Sequence, residues 1–117
     1  MALHAVTDPD RLPTPPAHLS EASAGVWRAV VADYDLEAHQ LELLGAALDA
    51  RDRMVEARAL VLAEGLTVED SRGGTKAHPA VAIERDSRLA MARLFRELAL
   101  DVPVVDSRPP RRGGQAW

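Results

Sequence analysis

The sequence predicts a mainly α fold: a long antiparallel helical hairpin, a short N-terminal helix, a small β-hairpin or turn between helices two and three, and flexible tails. Two observations lead there. Apolar residues recur at helical spacing in three stretches between residues 19 and 100, which is the signature of amphipathic helices. Prolines and glycines gather mostly outside those stretches and in the turn before the last one.

The first helix is expected from about Glu21 to Tyr34. Ser20 is its N-cap and Leu19 the apolar partner of a staple, followed by Trp27, Val30, Val31 and Tyr34 on one face. Asp35 is expected to cap the next helix, which should run from about Leu36 to Glu64 and stop at Gly65 in a left-handed conformation. Such a helix is roughly 40 Å long at 1.5 Å per residue. Leu66-Thr67-Val68 and Thr75-Lys76-Ala77 flank the turn residues Ser71 to Gly74 and suggest a short exposed hairpin. Pro79 suits a first helical turn, and the third helix should continue to about Leu100.

With 117 residues, the chain has room for one small domain. Residues 1–18 carry Pro9, Pro13, Pro15 and Pro16 and are expected to be a flexible N-terminal tail. Residues 19–100 form the expected helical domain. Residues 101–117 form a flexible basic C-terminal tail with Pro103, Pro109, Pro110 and Arg108, Arg111 and Arg112. Only 3% of residues are aromatic, so Leu, Val, Ile and Ala must build the core. A core of that size is marginal for a monomer.

The second helix has two apolar stripes. Leu43, Ala47, Ala50, Met54, Ala57 and Val61 form one; Leu41, Leu44, Leu48, Val55, Ala59 and Leu62 form the other, roughly 120° around. Two stripes ask for two packing partners. The expectation is that helices two and three pair and the spare stripe meets a neighbouring subunit. The interface assigned to that contact comprises Leu43, Ala47, Ala50, Arg51, Met54, Arg58 and Val61. The alternative is that the first helix and the hairpin cover the stripe within a monomer. Arg51 and Arg58 lie between the stripes, where an arginine needs a carboxylate or carbonyl partner or must reach the edge; they could also set subunit register.

Charge narrows the function. Fourteen basic against eighteen acidic residues give −4, which excludes a uniformly basic nucleic-acid coat. The distribution is uneven: residues 35–70 carry nine acids and three arginines, a net of −6, and residues 71–100 carry six bases and three acids, a net of +3. Arg85, Arg88 and Arg96 cluster on one side of the third helix, and Arg72 and Lys76 project from the hairpin. Together with Arg108, Arg111 and Arg112 they are the candidate phosphate contacts; ion pairing between subunits and solubility are the ordinary alternatives.

Motifs for catalysis are missing. There is no cysteine for disulfides, thiolate zinc sites or nucleophiles. Gly73-Gly74-Thr75-Lys76 has the composition of a phosphate loop without its order or spacing. His4, His18, His39 and His78 have no metal-ligand spacing among them, and His78 before Pro79 reads as a turn residue. Asp49, Asp52 and Glu56 are expected on a solvated face of the second helix, unsuited to acid–base chemistry. No enzyme, metal or cofactor is expected. No apolar run approaches the roughly 18 residues of a membrane span and no signal peptide is evident, so a cytoplasmic protein is expected.

The order of segments carries a further signal. Pro15-Pro16-Ala17-His18-Leu19-Ser20 precedes a helix with Trp27, then comes the long Leu/Ala/Arg/Glu helix. Glu64-Gly65-Leu66-Thr67-Val68 leads into a glycine turn, and Lys76-Ala77-His78-Pro79-Ala80 enters the helix of Glu84-Arg85-Asp86, ending at Leu98-Ala99-Leu100. Over about 85 residues, Pro15 to Asp101, this resembles the short helical small terminase subunits of tailed double-stranded-DNA bacteriophages and prophages. The resemblance implies a non-enzymatic part of a DNA-packaging motor in the bacterial host. It would be a ring-shaped homo-oligomer that engages viral double-stranded DNA and presents it to the large terminase subunit, which holds the ATPase and nuclease. Two unlike apolar surfaces suit a ring, whose head-to-tail contact needs two different patches per subunit. The competing class is a helical adaptor or scaffold that binds protein and never DNA.

Overall fold

Local capping sets each element. The computed structural model describes residues 11–100. Helix α1 (Glu21–Asp33) starts where Ser20 Oγ accepts the Ser23 N–H at 3.1 Å. It ends one residue short of expectation, with Tyr34 as its extended C-cap. Helix α2 (Ala38–Glu64) begins later than expected because Glu37, not Asp35, is its N-cap; the Gln40 side chain reaches back to accept the Glu37 N–H at 2.8 Å. Gly65 has φ 94° and ψ 168°, a positive φ as expected but an extended ψ, so the chain leaves α2 straight into a strand.

Strands β1 (Thr67–Glu69) and β2 (Thr75–Ala77) pair antiparallel with Val68 opposite Lys76. Asp70 closes their loop: its Oδ1 accepts the N–H groups of Arg72 at 2.9 Å and Gly74 at 2.8 Å, while Gly73 supplies φ 84°. Helix α3 (Pro79–Leu98) follows. His78 is more than a turn residue, since it is buried and caps α3. Its Nδ1 accepts the Ala80 N–H at 3.0 Å, which leaves Nε2–H to donate to Glu64 at 2.7 Å and tie the two long helices at their linked ends. Ala99, in the left-handed region at φ 54°, ends α3 before Leu100.

Helices α2 and α3 pair antiparallel along their lengths and form the hairpin, with the β-hairpin at the linked end. The core lies at the opposite end. There Leu19, Trp27 and Val31 meet Leu44, Leu48 and Leu98, with Phe95 and Leu100 packed against them. The proline-rich lead joins this body further upstream than expected. Leu12 packs on the core, and the buried Trp27 donates its indole N–H to the Pro13 carbonyl at 2.9 Å. The remaining tail expectations, residues 1–10 and 101–117, lie outside the described residues.

A polar clamp fixes α1 on α2. Asp52 accepts the Ser20 N–H at 2.8 Å and the hydroxyls of Ser20 and Ser23 at 2.6 Å each, and Arg51 donates to Ser23 Oγ at 3.2 Å. Burial alone would raise the Asp52 carboxyl. The Ser20 and Ser23 hydroxyls, the Ser20 N–H and the Arg51 charge outweigh it and hold the carboxyl below its ordinary value. Asp52 is therefore not the solvated surface acid the helical wheel implied, because α1 lies across its side of α2.

Candidate nucleic-acid interface

The outer side of α3 follows from its pairing with α2. Ala80 and Leu98 are buried and Ser87, Met91 and Leu94 half-buried on the inner side, so residues turned away from them face solvent. Arg85, Arg88 and Arg96 are exposed there, within an arc of about 80° and spanning about 16 Å of helix. Arg93 is exposed on the neighbouring side, a cation that clustering by face alone leaves out. Arg85 Nε donates to Asp86 at 3.1 Å, an exposed pair with little hold on either side chain. Arg88 and Arg96 have no carboxylate within ion-pair distance among the described residues, which leaves their guanidinium groups available to phosphate.

Arg72 and Lys76 are exposed at the other end of the molecule's long axis from the core, carried by the β-hairpin. Among the described residues only the backbone of Arg72 is held, by Asp70, so its side chain extends from a fixed turn. The structure thus gives two groups of cations, one on the finger and one along α3. Such an array has the chemistry to meet phosphate groups, and nothing among the described residues singles out a base edge. Arg108, Arg111 and Arg112 lie outside the described residues.

The expected subunit-interface stripe has a different placement. Ala47 is fully buried, and Leu43, Ala50, Met54 and Val61 are half-buried within the one chain. That side of α2 packs on α3, so Ala47 has no surface left for a neighbour. Arg51, expected to seek a carboxylate or carbonyl, bonds a serine hydroxyl beside Asp52; Arg58 is exposed. Bare apolar surface on α2 lies along the far half of the other stripe, at Val55, Ala59 and Leu62, and at Leu60.

Nothing among the described residues groups three His, Cys, Asp or Glu side chains as a metal site. A shallow cleft of about 290 Å³ runs between the lead and α2, bordered by Pro16, Trp27 and Gly45. Its His18 Nε2 lies 2.5 Å from Asp49 Oδ1, and both side chains are open to solvent. No helix of the described residues is long and apolar enough to cross a membrane.

The family model for the phage terminase small subunit matches residues 24–103. No curated protein and no solved structure matches the chain. The family match takes in most of α1, all of α2, the β-hairpin and all of α3, which is well over half the sequence. A three-helix body with an interrupting β-hairpin, a cationic outer helix and this match place the chain in one group: it belongs to the family of phage terminase small subunits.

Proposed function

We propose that this chain is the DNA-engaging, non-catalytic subunit of a phage packaging motor. Membership of the small-subunit family supports a role in phage DNA packaging. In the finer reading, copies assemble into a ring in the bacterial cytoplasm. The ring binds viral double-stranded DNA through Arg85, Arg88 and Arg96, with Arg72, Lys76 and the C-terminal Arg108, Arg111 and Arg112 adding phosphate contacts. It then recruits or regulates the large terminase subunit, whose ATPase and nuclease do the chemistry.

One observation carries this reading: the solvent face of α3 presents exposed arginines, two of which, Arg88 and Arg96, have no carboxylate in ion-pair distance among the described residues, although the chain as a whole is acidic. Arginines gathered on one face favour an anionic partner there, and the acidic remainder of the protein repels one elsewhere. A ring raises the effect, since each copy adds weak contacts to the same polyanion. The acidity of α2 favours a second reading, a protein adaptor that does not touch DNA.

A gel-shift titration with phage-derived duplexes at low salt tests the two. The DNA-engaging subunit retards the duplex, the shift weakens steeply with added salt, and Arg85→Glu with Arg88→Glu abolishes it without changing the oligomer. Unchanged affinity in that variant removes α3 from the site. Failure of the wild-type protein to retard any duplex selects the adaptor.

A further inference from the structure

The side of α2 that packs on α3 is filled, and the side about 140° around it is hollow. Gly45 puts no side chain there and the lead stands off on Pro16, so a cleft opens over Leu41 and the edge of Trp27. Two carboxylates rim it. Glu42 and Asp49 are seven residues apart on α2, which sets them about 20° apart around the helix and about 10 Å apart along it. No lysine or arginine lines the cleft, and Glu42 has no ion pair among the described residues. His18 takes Oδ1 of Asp49 and leaves Oδ2 as an acceptor. The cleft therefore offers an apolar floor between two anionic posts.

The C-terminal segment of the same chain has the matching chemistry. Residues 101–117 lie outside the described residues, but their sequence sets Arg108 and Arg111 on either side of Pro109-Pro110, and residues 107–117 contain three arginines and no acid. Consecutive prolines favour the polyproline II conformation, and a proline biases the residue before it the same way. At three residues per turn and 3.1 Å of rise, Arg108 and Arg111 fall on one face about 9 Å apart. That spacing matches the two carboxylates. The proline rings between them suit an apolar floor with an aromatic edge, the setting in which proline-rich segments dock. Reach is sufficient as well. Leu98 and Leu100 pack on the core with Leu44, so the chain leaves α3 at the height of the cleft. The way round α2 is an arc of roughly 20 Å outside a helix about 10 Å across. Residues 101 to 108 span up to about 27 Å when extended.

We propose that residues 107–112 dock in this cleft of their own chain, with Arg108 and Arg111 against Glu42 and Asp49 and Pro109-Pro110 over Leu41 and the Trp27 edge. Each ion pair is weak at so exposed a site, and the tether compensates by keeping the segment at high local concentration. The docking stands apart from the packaging reading, and its consequence for that reading is regulatory. Arg108 and Arg111 cannot meet phosphate while the cleft holds them, so an anionic partner must compete with Glu42 and Asp49 for them.

The chain has no cysteine, so two introduced thiols report position without interference. Gly113→Cys is paired with Ala46→Cys in the cleft or, as the control, with Ala92→Cys, exposed on the outer side of α3 near the same end of the molecule. A short bismaleimide links the thiols, and denaturing gels with mass spectrometry separate links within one chain from links between chains. The cleft pair is expected to react about fivefold faster than the control pair. Glu42→Arg, Arg108→Glu with Arg111→Glu, or high salt should each remove that advantage. Glu42 is exposed, so circular dichroism of its variant should match the wild type, and the double tail variant serves if it does not. Equal rates for the two pairs, or an advantage that survives the charge reversals, overturns the docking. A product at twice the 12.7 kDa of one chain gives the cleft to a neighbour's tail and overturns the intrachain assignment. Retardation of DNA and the mass of the assembly are read separately, so failure here is distinct from failure of the packaging reading.

Discussion

Replacing Asp52 with alanine should unseat α1. The Asp52 carboxylate accepts three hydrogen bonds from Ser20 and Ser23, the residues that begin α1. Bonds to a charged acceptor are worth about 1.5–3 kcal/mol each when sheltered. Asp52 is only half-buried, so solvent screening reduces each to about 1 kcal/mol. The bonds share one acceptor and are not additive, so the variant should lose about 2–3 kcal/mol. For a folded unit of this size that lowers the melting temperature by about 10–20 °C. Thermal unfolding by circular dichroism reads it.

The pH dependence gives an independent check. The Asp52 carboxyl is held below its ordinary value in the folded chain, so its contribution is complete above the unfolded-state value of 3.8. It is lost as pH falls below that value through the lower folded one. Asp52→Asn should therefore show a shallower fall in stability between about pH 4 and pH 2 than the wild type. A melting temperature within about 2 °C of wild type for Asp52→Ala, together with an unchanged acid limb for Asp52→Asn, would refute the clamp.

Trp27→Phe should keep the core filled but drop the indole bond to the Pro13 carbonyl, costing about 1 kcal/mol. Amide exchange at Leu19, bonded to the Pro16 carbonyl in the same lead, should then quicken about fivefold. Leu48→Ala removes a side chain with no exposed surface and should cost about 2–5 kcal/mol in denaturant unfolding. Leu62→Ala, on the same stripe but 80% exposed, should change the stability of the single chain by less than about 0.5 kcal/mol.

The contrast between Leu48 and Leu62 shows what was legible in the sequence. Helical spacing identifies both as members of one stripe, because periodicity reports the face a residue occupies. It is silent on where along the helix a covering element ends, so the division between buried and bare halves depends on the 13-residue length of α1 and its docking site. The burial of Ala47 was hidden for the same reason: one of two equivalent stripes had to face α3, and spacing does not choose between them. Boundaries set by local chemistry, such as the Ser20 cap and Pro79, were readable to within a residue. The start of α2 was misplaced because both Asp35 and Glu37 have cap-forming side chains, and only Glu37 has Gln40 three residues on.

Of the candidate site, the solvent position of Arg85, Arg88 and Arg96 was legible from their common face. The anchoring of Ser20 and Ser23 by Asp52 was not, since about thirty residues separate Asp52 from the serines it binds and no local pattern links them. The role of His78 lay between: its place before Pro79 signals a helix start, while its bond to Glu64 needs the two helix ends brought together.

The apolar surface left on the far half of the hairpin makes assembly the claim on which the packaging role depends most. The mass of the intact wild-type chain in solution, measured natively across the micromolar range, tests it most directly. A closed set of copies at a fixed multiple of 12.7 kDa is the predicted result; a single 12.7 kDa species at every concentration would contradict the account.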